Sequence, residues 1–115
     1  MKNLILSRIK EANCDYSFEI FKENVAKLDD DDYVVFVKYV EEENYFLVFD
    51  GGFTIVECEE RFLNNKKEIN RVKNILLKND IKKEEGSQPL YLEAKAEQLQ
   101  EKIDLLIKVE KEILG

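Results

Sequence analysis

Carboxylates and lysines are the reactive side chains this sequence has in quantity: 25 aspartates and glutamates stand against 18 lysines and arginines, and there is no histidine. Without an imidazole, the usual base of serine and cysteine triads is missing, as are most zinc sites. Asp50, at the end of an apolar run, with Glu57 and Glu59 just beyond it, is the constellation that could hold a divalent metal in a nuclease-like or hydrolytic core. Such cores pair an acid with a lysine two positions on, and here that position is Glu59. A turn aspartate that accepts backbone amides is a sufficient account of Asp50. Asp29, Asp30, Asp31 and Asp32 offer carboxylates to calcium, but the alternating acids, the glycine and the distal glutamate of a calcium loop are missing. A solvated acidic loop is the simpler reading. Cys14 and Cys58 are too few and too far apart for a disulfide framework or a zinc cluster, and each reads as a small packing residue. The expectation is no catalytic residue, no metal and no cofactor.

Charge points instead to partners. The net charge of −7 repels a phosphate backbone, and lysines interleave with glutamates at Lys66-Lys67-Glu68 and Lys82-Lys83-Glu84-Glu85 as on a solvated surface. Direct nucleic-acid binding is therefore not expected. Acid clusters at 29–32, 41–43 and 57–60 all fall at loops or strand ends. Gathered on one rim, they would imitate phosphate spacing and compete for a basic cleft. The bland alternative is that they keep a small domain in solution. Asp29 to Asp32 and Glu41, Glu42 and Glu43 are the candidate partner-binding residues.

The elements that would position these groups follow from periodicity. With 115 residues, 44% of them hydrophobic, the chain supports one domain over 1–115 with one modest core, rich in its seven phenylalanines and five tyrosines. The apolar run Leu4-Ile5-Leu6 is far short of a signal-peptide core and no stretch reaches membrane-spanning length, so a cytoplasmic protein is expected. Ile5, Ile9 and Ala12 recur at helical spacing and predict a short first helix over 2–12. Tyr16, Phe18 and Ile20 alternate as a strand over 16–20. Residues 33–40 are apolar on both faces and predict a central strand, followed by a polar turn through Asn44 and a second strand over 45–49. Gly51 and Gly52 can take positive φ, so Asp50-Gly51-Gly52 predicts a hairpin turn into a third meander strand over 53–57. Asn65 with Glu68 three residues on is a capping pair for a middle helix through Ile69, Val72, Ile75 and Leu76. Its outer residues Lys67, Arg71, Lys73 and Lys78 form the clearest basic excess in the chain. After Pro89 a helix start and a short strand at Leu90-Tyr91-Leu92 both fit local rules. A long last helix follows from about Ala94, with Ala96, Leu99, Ile103 and Leu106 on one face. Leu105, Ile107 and Val109 widen that face, so residues 96–114 could also bury a partner helix in a homodimer. The fold class expected is α+β: three to four antiparallel strands with short, middle and long helices.

Three stretches together resemble one family. Val48-Phe49-Asp50-Gly51-Gly52-Phe53-Thr54-Ile55 is similar to the Leu-Thr-Asp-Asp-Gly-Tyr-Thr-Ile turn of the bacterial and phage family called domain of unknown function 1828, preceded there by a strand resembling Asp32-Tyr33-Val34-Val35. Asn70-Arg71-Val72-Lys73-Asn74-Ile75-Leu76 resembles its next helix. Leu90-Tyr91-Leu92-Glu93-Ala94 resembles its short strand before a long last helix. The similarity runs in order over about residues 14–113, and it implies a strand after Pro89. The family's paired acids at the turn are here Asp50 and Gly51, which weakens any chemistry there. What the resemblance implies is a fold and a setting in mobile elements and their hosts. The reading that joins it to the acidic field is a small non-enzymatic interaction protein that binds and modulates another protein, such as a nucleic-acid-handling defence enzyme, in the host cytoplasm if phage-encoded. The metal-dependent hydrolytic domain and the dimeric accessory domain are the alternatives.

Overall fold

The computed structural model describes residues 5–28, 34–51, 54, 60–61, 65–83 and 90–114. The described strands run β1 (Phe18–Lys22), β2 (Val25–Leu28), β3 (Phe36–Val40), β4 (Tyr45–Phe49), β5 (Lys82–Lys83) and β6 (Leu90–Ala94), with α1 (Ile5–Glu11) before them. Helix α2 (Lys66–Lys78) precedes β5, and α3 (Leu99–Leu114) closes the chain after a 3-10 turn at Ala96–Gln98. All pairings are antiparallel, in the order β1-β2-β3-β4-β6-β5. Among the described residues the sheet thus has five full strands and a two-residue edge, more than the three to four expected.

Two departures account for the difference. Val25-Ala26-Lys27-Leu28 is a strand, paired to β1 through the tight Glu23-Asn24 turn in which Asn24 takes φ 59°. The other concerns the expected third meander strand over 53–57. Thr54 is helical, and the place beside β4 is taken by β6, whose Leu92 and Ala94 pair with Val48 and Phe46. The rest of 53–57 lies outside the described residues. Gly51 does adopt the expected positive φ, at 72°. The described neighbours of β4 are β3 and β6, so no returning strand stands beside it. The strand expected from the resemblance at Leu90-Tyr91-Leu92 is present as β6.

Alternation sorts each strand into two faces. Ala26, Leu28, Val37, Phe46, Val48, Leu90, Leu92 and Ala94 point inward and join Ile5 and Ile9 of α1, Val72 and Ile75 of α2, and Leu99, Ile103, Leu106, Val109 and Ile113 of α3 in one core. Ile103, Leu106 and Val109 are wholly buried; each such aliphatic side chain contributes about 1.5–3 kcal/mol relative to leaving it in water. Leu105, Ile107 and Leu114 are partly buried against the same core. The surplus apolar surface of the last helix is thereby largely used within the chain.

Helix α2 starts with one half of the expected capping pair: Asn65 Oδ1 accepts the Glu68 amide at 3.2 Å. The Glu68 side chain does not simply face water; its Oε2 takes the Arg71 guanidinium at 2.8 Å. Arg71 in turn donates to the Glu112 and Ile113 carbonyls, both at 3.1 Å. A cation therefore sits on the free carbonyls at the negative end of α3, where helix dipole and orphan acceptors both favour it. Arg61 donates to the Leu114 carbonyl at the same end.

Candidate functional site

The described residues present two arrangements of acids, one buried and one open. At the end of β4 the side chain of Asp50 turns inward and is completely buried. Its Oδ1 accepts the Leu90 amide at 2.9 Å and its Oδ2 the Thr54 amide at 3.1 Å. The Asp50 amide donates back to the Leu90 carbonyl at 3.2 Å. One carboxylate thus joins the end of β4, the following helical residue and the start of β6. Charge-assisted bonds from backbone amides are what stabilise a buried carboxylate.

Glu110 of α3 faces this buckle. It occupies the apolar stripe of Leu99, Ile103, Leu106 and Ile113 and is only 4% exposed. The Val34 amide donates to its carboxyl, which lowers its pKa, but burial first and the charge of Asp50 second push it up to about 8. Among the described residues its Oε1 has no hydrogen-bond partner. Glu110 is therefore mostly protonated at neutral pH, because a second anion beside Asp50 in this apolar setting would go uncompensated.

The open arrangement lies at the other end of β4. An open groove of about 890 Å³ is lined by Glu11, Glu43, Glu93 and Glu97, by the rings of Tyr39, Tyr45 and Phe46, and by Arg8 and Lys95. The four glutamates come from α1, the β3–β4 turn, β6 and the 3-10 turn. Asn44, at φ 55°, closes the β3–β4 turn and accepts the Tyr39 hydroxyl through Oδ1. Tyr39 and Phe46 lean on each other at 5.2 Å. Over the Tyr39 ring, 4.9 Å from its centre, sits the Arg8 guanidinium, which also reaches Glu11 at 3.7 Å. The groove thus already holds one guanidinium between an aromatic face and a carboxylate, the cation–π and ion-pair arrangement that suits a basic side chain.

These placements sort the residues singled out from the sequence. Glu41, Glu42 and Glu43 form the exposed β3–β4 turn, and Glu43 borders the groove. Asp29 to Asp32 lie outside the described residues, as do Glu57, Cys58, Glu59 and Gly52. Asp50 is a structural turn residue that also fastens β6. Cys14 is half-buried against the core, and burial pushes its thiol up. Among the described residues no three acidic or cysteine side chains gather as metal ligands, and no helix is long and apolar enough to cross a membrane.

Sequence reasoning missed Glu110. The signal was present: Leu99, Ile103, Leu106 and Ile113 mark a core stripe at spacings of three and four, and position 110 continues it. An acid on a core stripe is a buried acid. The convergence of Glu11, Glu93 and Glu97 on Glu43 had no signal along the chain, since it depends on the pairing of β4 with β6.

No family model, no curated protein and no solved structure matches the chain.

Proposed function

We propose that this chain is a non-enzymatic interaction domain that docks a basic segment of another protein in the groove lined by Glu11, Glu43, Glu93 and Glu97, and so modulates that protein. The observation that supports it is the Arg8 guanidinium over Tyr39: a cation of the chain itself already occupies the kind of seat a partner's arginine would take. Glu41 and Glu42, exposed beside the groove, extend its negative field and would speed encounter with a basic surface. A nucleic-acid-handling enzyme of a bacterial host or of its defence systems is the partner class that acid field and family resemblance favour. That resemblance rests on the motif residues alone. The domain would then work in the cytoplasm of the bacterium, or of the host if a phage carries it.

The burial of Asp50 argues against the hydrolytic alternative. A metal at Asp50 would have to displace the Leu90 and Thr54 amides from a fully buried carboxylate, at a cost of about 1–3 kcal/mol for each amide left unpaired. Calorimetric titration tests both readings. An arginine-rich peptide should bind saturably to the wild type and lose most of its affinity for a Glu43→Lys, Glu97→Lys variant, while magnesium and manganese produce no binding heat. Metal binding abolished by Asp50→Asn would reverse the assignment.

A further inference from the structure

The strand register gathers on the outward face of the sheet residues that lie far apart in the sequence. Paired positions place Lys27 beside Phe36, Phe36 beside Phe49, Phe49 beside Tyr91 and Tyr91 beside Lys82. This is one transverse row across five strands: three rings with a lysine at each end. The next row brings Lys38 beside Leu47 and Leu47 beside Glu93. Lys22 and Val25 pair at its other end. Phe21, at the β1 bulge, stands edge-on to Phe36 at 4.9 Å and is 56% exposed. Phe36 is itself buried and stacks on Phe49 at 5.3 Å, so it braces the rings on either side. An open groove of about 490 Å³ runs over Phe49, Tyr91, Tyr45, Leu47 and Lys38. The core residues of the three described helices join the inward side chains, which leaves this face without a described helix.

We propose that the outward row running from Lys27 to Lys82 binds a single-stranded nucleic acid, bases stacking on the half-buried rings of Phe49 and Tyr91 and phosphates resting on the lysines.

Charge complementarity selects the occupant. Among the described residues Lys22, Lys27, Lys38 and Lys82 share this face with Glu19 and Glu93, so the described part of it is opposite in sign to the whole chain. Screening confines charge effects to about 8–10 Å at ordinary salt, so the local patch outweighs the distant acids. The expectation against nucleic acid came from net charge; the register is what changes it. Aromatic side chains set the class further. Rings on adjacent strands lie about 4.8 Å apart, and stacked bases gain about 1–3 kcal/mol each on such platforms whatever their sequence. A duplex hides its base faces and could use only the lysines. An acidic peptide could use the lysines and bury apolar side chains, but it has no flat groups to match the half-buried rings of Phe49 and Tyr91.

This inference is independent of the acid-lined groove, although the two surfaces meet at Tyr45 and Glu93. The test uses fluorescence anisotropy with a labelled single-stranded oligothymidylate, the same strand in duplex with oligoadenylate, and a labelled oligoglutamate. The single strand should bind saturably, more tightly than the other two, and weaken as salt rises. Lys27→Glu with Lys82→Glu should weaken it by at least about tenfold with an unchanged melting profile. Tyr91→Leu, which keeps an apolar residue at a half-buried position, should weaken binding with the salt dependence unchanged, since it removes stacking and not charge. No saturable binding of the single strand, equal or tighter binding of duplex or oligoglutamate, or wild-type affinity in the folded lysine variant would overturn the proposal.

Discussion

Asp50 and Glu110 are two buried carboxyl groups of which the first holds β4 to β6 and the second, on α3 within reach of its charge, keeps its proton to about pH 8. The two residues stand on different elements, so their mutual cost links the state of the last helix to that of the turn after β4. Neither is exposed enough for solvent to screen the interaction.

Stability should therefore depend on pH in a specific direction. The folded pKa of Glu110 is raised from 4.5 to about 8, so the folded state binds a proton more tightly than the unfolded state. Its contribution is fully present below about pH 4.5 and is lost as pH rises towards and through 8. Urea unfolding at a series of pH values should show stability falling across this window, at up to about 1.4 kcal/mol per pH unit. Glu110→Gln should flatten the slope and be the more stable protein at the alkaline end.

Asp50→Asn should destabilise the domain by about 2–3 kcal/mol at neutral pH, because one side-chain acceptor becomes a donor facing a backbone amide. It also removes a charge that raises Glu110, so the upper edge of the pH window should move downward and the window narrow. Chemical denaturation of the single and double variants in a thermodynamic cycle would show the two effects to be non-additive.

The cation at the end of α3 gives a separate outcome. Arg71→Leu leaves the Glu112 and Ile113 carbonyls without this donor and should cost about 1–2 kcal/mol in unfolding free energy. Lys73→Leu, on the exposed side of the same helix, should change it by less than about 0.5 kcal/mol.

Packing on the inner face is tested by Ile103→Ala, which opens a cavity at a wholly buried position and should cost about 2–5 kcal/mol. Leu77→Ala, at a position 80% exposed, should be nearly neutral in the same melting measurement.

Much of this architecture was legible in local patterns. β4, α2 with its Asn65 cap, and the α3 core stripe follow from periodicity and capping chemistry, because those signals lie within a few residues of one another. β2 was harder: four residues after an Asn24 turn give too short a run to separate from a polar connection. The Asp50-Gly51-Gly52 turn misled for a physical reason. A glycine with positive φ is equally at home in a hairpin and in a strand exit, and the choice was made by Leu90, whose amide claims the Asp50 carboxylate from a distant part of the chain. The groove and the outward lysine row were not legible at all, since each is assembled by strand register.

The docking of a basic partner segment is tested most directly by an NMR titration of the isotope-labelled protein with an arginine-containing peptide. The account predicts amide shifts concentrated at Tyr39, Glu43, Asn44, Glu93 and Glu97, with loss of the Arg8–Tyr39 contact and with effects that diminish as salt rises. Shifts spread evenly over all exposed acids, or confined to residues away from this groove, would contradict it.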